Sequence, residues 1–365
     1  MSYVLAFIGF ALLIILHEGG HFAAAKAVGM RVERFSLFFG PMILKRRRGE
    51  TEYGVGVVPL GGYVKITGMN PNEVIQPEFI RRAYYNQPVW KRVVVILAGP
   101  AVNIVLAFVI AWAVLISSGQ QQLAPTRQVA QVIQSTPATS YLKRGDRIVS
   151  VDGVGGSVQA IRSQIESHRC PGAQVVGCSA ATPARVTVRR DGQLRTFEIR
   201  PRYTQSPGTT ARPELGFAFG SKVVGVVHPS VIGAASTSGS WMWSVTTQTV
   251  STIARIFEPQ ERKQLHGVVA VYAVTQESFA SSATTAFEML ALISLALGVI
   301  NLFPFLPLDG GHIFWALAEK IRGRRISFSV MERAGVVGFA LIVLLFAVGL
   351  SNDISSLTGS GFGLR

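Results

Sequence analysis

The sequence predicts a polytopic α-helical membrane protein with four transmembrane helices and one small α+β domain carried in a long loop. Three observations lead there. Apolar residues are 49% of the 365 positions and charged residues only 15%, against about 25% charged in a typical globular protein; mean hydropathy is +0.37. Four stretches approach the roughly 20 apolar residues that a span needs. Residues 120 to 205 change character, with charges, alternating apolar residues and turn signals. Disorder is excluded by the surplus of apolar surface, and a disulfide framework by the presence of only two cysteines.

The first span is read from about residue 2 to 28. Its apolar core, Tyr3 to Leu16, is short, but it lacks the basic leader and small-residue cleavage site of a signal peptide, and the helical pattern continues through Phe22 to Val28. The second, Val93 to Ile116, holds 24 residues without a charge and only Asn103 as a strongly polar group; the span is drawn as 93–118. The third covers 286–310 and is broken near its end by Pro304 and Pro307. The fourth covers 334–351.

Lysine and arginine set the orientation. The stretch 29–92 carries 11 of them and the short link 311–333 carries five, so both are expected in the cytoplasm. The central loop spreads 17 over roughly 170 positions, and long loops translocate largely regardless of charge. The small domain then lies outside the cytoplasm, and the net charge of +15 follows from topology. No basic recognition helix or aromatic-interleaved groove accompanies that charge, so nucleic acid is not an expected partner.

Ionisable residues inside a span are costly and mark functional sites by default. His17-Glu18-Gly19-Gly20-His21 places two imidazoles at i and i+4 on one helical face, with a carboxylate beside them. Imidazole suits zinc, and a catalytic zinc takes three protein ligands and keeps one position for water. The third ligand must come from elsewhere at similar depth. Residue 17 lies about 24 Å along the first helix at 1.5 Å per residue, toward the cytoplasmic side. Asp309 reaches the same side at the break that ends the third span. It is the first candidate, with His312 as a rival nearer the basic link.

These residues carry a resemblance. His17-Glu18-x-x-His21 in a first span, paired with Asn301-x-x-Pro304-x-x-Pro307-Leu308-Asp309-Gly310-Gly311-His312 in a later one, is similar to the site-2 protease family of intramembrane zinc metalloproteases. Within it the chain resembles the bacterial subgroup of regulator of sigma-E proteases, which cleave anti-sigma factors. Phe39-Gly40-Pro41, Ala98-Gly99-Pro100 with Asn103, and the stretch Gly54 to Gly68, which looks like the family's membrane-associated β-hairpin, extend the match to nearly the whole chain. Phe38 departs from the glycine common before Phe-Gly-Pro, and Gly19 and Gly20 fill the variable positions between the histidines. Leu142 to Gly153 resembles the core of a PDZ domain, so one extracytoplasmic PDZ-like domain is expected over 120–205. Asp191-Gly192 is its readable hairpin turn.

The resemblance implies Zn²⁺ held by His17, His21 and Asp309, with Glu18 as general base. It implies a substrate-side role for Asn301, whose amide would meet substrate backbone or the developing oxyanion. Strand-like hydrogen bonds to an unwound substrate would come from the hairpin around Gly61, Gly62, Tyr63 and Val64. The PDZ-like domain would screen single-span substrates already cut outside the membrane, anti-sigma factors and remnant signal peptides among them. The implied setting is the bacterial inner membrane, as a multi-pass protein. Cys170 and Cys178, eight residues apart, have the option of a disulfide in an oxidising exterior. Residues 206–285 read as a linker in which Trp241, Trp243, Val245, Val250, Ile253, Ile256 and Phe257 form either an interfacial helix or ordinary packing. Two rival classes remain. A catalytically inactive membrane-anchored PDZ binding module leaves the intramembrane His-Glu-His unexplained. A transporter is disfavoured by the absence of an internal repeat.

Overall fold

The computed structural model of the chain describes residues 2–70, 73–133, 136–204, 211–255 and 267–358. It divides into two units, one made of the residues up to 119 with those from 228 onward, the other of residues 120–227. The described helices are α1 (Ser2–Ala27), α2 (Val89–Ser118), α3 (Val158–Glu166), α4 (Val231–Ala254), α5 (Val268–Ser281), α6 (Ala283–Asn301), α7 (Asp309–Arg322) and α8 (Phe328–Thr358).

In the first unit, α1, α2, α6 and α8 are long and apolar enough to cross a membrane. Their outward residues stay apolar, as with Val4, Leu5, Ile8 and Leu12 on α1 and Val336 and Val337 on α8; such surfaces suit lipid rather than water. Small residues bring α1 and α2 together. A side chain at Gly20 would sit 2.6 Å from the Ala98 carbonyl, whereas one at Gly19 would meet nothing. The α2–α6 contact is polar as well as apolar: Ser294 Oγ donates to the Asn103 backbone carbonyl at 2.8 Å, beside Ala107, Leu295 and Val299. Arg92 on α2 holds Glu319 on α7 at 2.6 Å, both largely buried. The N-terminus of α5 is capped from the fourth span: Asp353, fully buried, accepts from Gly267 N and Ala270 N.

Several boundaries differ from the sequence reading. The third span does not run to residue 310. Helix α6 stops at Asn301, the chain turns through 302–308, and Asp309 opens a separate helix, α7, whose acidic first residue suits the helix dipole. Pro304 and Pro307 lack amide hydrogens, and two prolines three residues apart break the helix here, where α2 accommodates the single Pro100. The stretch 311–333 is consequently mostly helical rather than a plain link. Gly54 to Gly68 is not a hairpin by itself either. Residues 54–66 of it fall within one long strand, β2 (Thr51–Ile66), antiparallel to β1 (Val32–Arg48), with the tight turn at Gly49-Glu50. Gly54, Gly56, Gly61 and Gly62 look like turn residues but continue the strand, and Gly68 follows in a turn.

The register between these strands has a consequence for the site. Arg34, Phe35, Ser36 and Leu37 each face two partners, one in Gly62–Lys65 and one in Glu52–Val55. The start of β1 is therefore flanked on both sides, and Gly62–Ile66 forms an outer edge.

The second unit is α+β. Strands β3 (Gln120–Val132), β4 (Arg147–Val151), β6 (Ala184–Arg190), β7 (Gln193–Ile199) and β10 (Phe217–Val227) form a sheet in the order β10-β3-β4-β6-β7, with β5 (Val154–Gly155) on β4. A small pair, β8 (Arg202–Thr204) and β9 (Arg212–Glu214), stands apart. On β6, Ala184, Val186 and Val188 are buried while Arg185 and Arg189 are exposed, the period of two that a half-buried strand requires. They join Ile148, Val151, Ile161 and Ile165 in one core. The β6–β7 turn is Asp191-Gly192, both with positive φ, as two-residue hairpins demand. The expected end at residue 205 falls short, because β10 pairs along β3 and completes the sheet to Val227. Residues 206–285 are accordingly no linker. They contain β9 and β10, then α4, whose Trp241, Met242 and Val245 pack on the spans while Trp243 stays 71% exposed, then α5. Ile256 and Phe257 lie outside the described residues.

Asp146 anchors the second unit. Only 2% exposed, it accepts from Arg190 Nε and Nη2 at 2.7 Å each and from the Lys143 amide at 2.8 Å. Burial works to raise its carboxyl, but Arg190 and that amide outweigh it and hold the group below its ordinary 3.8. A depressed carboxylate contributes stability that is complete above the unfolded value and is lost as pH falls through the folded one. Asp146→Ala leaves the guanidinium without its partner, so protease protection of residues 120–227 in the intact chain should fall by about 3 kcal/mol at neutral pH. The difference should shrink in strong acid. Unchanged protection at pH 7 would remove this role.

Candidate active site

Helix α1 presents His17 and His21 one turn apart, both buried at 6% and 7% exposure. Their Nε2 atoms are 3.3 Å apart, and each is 3.3 Å from Asp309 Oδ2. Three potential ligand atoms from two distant stretches thus form a nearly equilateral triangle. Among the described residues this is the group of His, Cys, Asp and Glu able to hold a metal ion; His312 is outside it. Zinc bonds of about 2.0–2.2 Å at tetrahedral angles place ligands about 3.4 Å apart, so the triangle has the right size. Asp309 Oδ2 is buried without a hydrogen-bond partner, as expected of an oxygen reserved for a cation. The residues present fit the metal.

The surroundings hold this geometry. His21 Nδ1 lies 2.9 Å from the Val95 carbonyl, which can only accept, so Nδ1 carries the proton and Nε2 turns its lone pair to the triangle. A side chain at Gly99 would run into the His21 ring, so the Ala-Gly-Pro stretch makes room for the imidazole. The turn that brings in Asp309 is just as crowded: a side chain at Gly310 would strike the backbone of Leu302 and Phe303.

Glu18 borders the same cavity, of about 600 Å³, whose walls also include Gly61, Gly62, Tyr63, Val64, Asn301, Asp309 and His312. The outer strand passes directly beside the carboxylate: a side chain at Gly62 would come within 3.1 Å of Glu18 Cγ, and Val64 lines the same cavity. Asn301 is the last residue of α6. It reaches the cavity through the turn, not along a helix shared with Asp309. The structure therefore gathers His17, Glu18, His21, Asp309, Asn301 and Gly61 to Val64 around one space. Cys170 and Cys178 belong to the other unit, where they are joined by a disulfide with Cα atoms 6.3 Å apart. The sequence reading missed the histidine partners Val95 and Asn103. A backbone carbonyl leaves no trace in sequence, but Asn103 did, as the one strongly polar residue of its span.

The sequence profile of Peptidase family M50 matches residues 5–345. The chain belongs to that family. The zinc metalloprotease Rip1 of Mycobacterium bovis is 31% identical and aligned over 96% of this chain and 96% of its own. Rip1 of Mycolicibacterium smegmatis is 30% identical, over 93% and 92%, and Rip1 of Mycobacterium tuberculosis H37Rv is 31% identical, over 96% and 96%. The M50 peptidases are the site-2 proteases of the resemblance, zinc metalloproteases of membranes, and this chain is one of them.

Proposed function

We propose that this M50 peptidase hydrolyses peptide bonds within the transmembrane segments of single-span membrane proteins, using zinc held by His17 Nε2, His21 Nε2 and Asp309 Oδ2. The observation that carries the reading is the 3.3 Å triangle of those atoms on the wall of a cavity shared with Glu18 and a sheet edge. When bound, the ion supplies Lewis acidity that polarises a carbonyl and makes water acidic near neutral pH.

The remaining work belongs to the chain. A Glu18 carboxylate oxygen takes the proton of the attacking water and returns it to the nitrogen of the leaving amine. A substrate helix satisfies its own backbone, so it must unwind before a carbonyl is open to attack. The edge at Gly62–Ile66 offers replacement hydrogen bonds by strand addition, beside Glu18. The Asn301 carboxamide, which lines the same cavity, donates to a substrate carbonyl. The arginine- and lysine-rich stretches support an active site near the cytoplasmic face, here of a bacterial inner membrane. On that topology residues 120–227 form an extracytoplasmic PDZ-like domain that screens substrates after a first cut. Anti-sigma factors and remnant signal peptides are the substrate classes this arrangement suits.

The test is metal dependence on a defined substrate. Purified protein should contain about one zinc and cleave a single-span test protein inside its membrane segment; a chelator should abolish cleavage and added zinc restore it. Full cleavage by metal-stripped protein would overturn the proposal.

A further inference from the structure

His21 has a fixed orientation because its Nδ1 faces a carbonyl. The corresponding nitrogen of His17 faces a side chain. Asn103 is fully buried on α2; its Nδ2 lies 3.3 Å from His17 Nδ1, and its Oδ1 is buried without a partner. Val95 and Asn103 sit on the same helix, so α2 supplies the partner of both imidazoles.

The two ends of a carboxamide have the same shape, and chemistry decides which end faces the ring. With the nitrogen facing Nδ1, as placed, it donates to that ring nitrogen, and the neutral imidazole carries its proton on Nε2. That hydrogen would project into the triangle formed with His21 Nε2 and Asp309 Oδ2, where a cation must sit. If the oxygen faces Nδ1, it accepts the Nδ1 hydrogen and the Nε2 lone pair points inward, matching His21. Either orientation leaves one amide end without a partner, so satisfied ends do not settle the choice. The shared requirement of the two imidazoles does.

We propose that Asn103 is the positioning residue of His17, its carboxamide oxygen accepting the Nδ1 hydrogen so that Nε2 is presented as a metal ligand. The inference rests on the reading that His17, His21 and Asp309 hold zinc. Asn103 is well placed for this because its backbone is itself fixed, its carbonyl accepting from Ser294 Oγ on α6. It touches neither the reacting atoms nor the ion; it acts through the ring.

The experiment is zinc affinity of the intact, detergent-purified protein, measured by competition with a chelator of known affinity. Asn103→Leu, close in size but without an acceptor, should weaken zinc binding by about 10–100-fold, the range for losing the hydrogen-bond partner of a ligating histidine. Asn103→Ala, which leaves space instead of an apolar group, should do the same and serves if the leucine variant does not fold. Asn103→Asp offers an oxygen at either end and should return affinity to within a few-fold of wild type, a rescue that a packing role would not produce. Nitrogen-15 spectra of histidine-labelled protein should show His17 protonated at Nδ1 in wild type and in Asn103→Asp. Wild-type affinity in the leucine or alanine variant, or an aspartate variant as weak as they are, would overturn the inference while leaving the metal centre intact. A wild-type protein that binds no zinc would instead overturn the metal reading and this inference with it.

Discussion

Glu18→Gln is expected to cut cleavage of a single-span substrate by about 10²–10⁴-fold while zinc content stays at the wild-type level. Glutamine keeps the shape of the side chain and removes only its ability to accept a proton. Glu18 is not a corner of the ligand triangle, so the three atoms at 3.3 Å are undisturbed. Its surroundings make the comparison clean, because the crowding at Gly62 is unchanged by an isosteric replacement. Single-turnover cleavage in detergent or vesicles, with metal analysis of the same samples, reads both quantities. Near-wild-type turnover would dismiss Glu18 as the base; loss of zinc would mean that it acts on the metal instead. The same variant used in cells should cause natural substrates to accumulate as uncut membrane fragments, which would name them.

The double variant His17→Ala with Asp309→Ala should lose zinc outright, with affinity falling well beyond the roughly 10–100-fold attached to indirect partners. Each single change leaves two corners of the triangle, and the double change leaves His21 alone. A single imidazole cannot compete with water and buffer for the ion, since structural and catalytic zinc sites use at least three protein ligands. The fold should survive, because the backbone that presents these groups is held by other contacts. Those include the α2–α7 pair Arg92–Glu319 and the small-residue contact of α1 with α2 at Gly20. Zinc retained undiminished in the double variant would remove this ligand set, and with it the assignment of the cavity as a hydrolytic site.

Much of the site was legible beforehand because its chemistry is written locally. Two histidines four apart with a glutamate between them have one helical reading, and their presence in an apolar helix demands a reason. Asp309 stood out through its prolines and glycines, residues that disfavour a continuous helix where they cluster. What the chain did there was less legible. Where the sequence reading drew one span ending near residue 310, there are two helices, α6 and α7, and the Asn301-to-Asp309 spacing describes a turn, not a helical repeat. The hairpin was misjudged for a related reason. Glycines at 54, 56, 61 and 62 look like turn residues, but here they allow close approach: a side chain at Gly56 would hit the Phe39 carbonyl, and one at Gly62 would press on Glu18. The end of the second unit was placed too early because β10 completes the sheet beside β3, its first strand; proximity of such distant strands has no periodic trace.

By itself, the sequence determined that four stretches are apolar enough to span a membrane, and it singled out the side chains proposed for the chemistry and the metal they suit, because hydropathy, helical spacing and ligand type are properties of short stretches. Tertiary structure alone decided that Nε2 of His17, Nε2 of His21 and Oδ2 of Asp309 meet at 3.3 Å, that α2 supplies the atoms facing both rings, and that the outer edge of β2 runs past Glu18. Those are contacts between residues up to almost 300 positions apart. Their energy depends on direction and distance between elements, which come into being only when the helices pack.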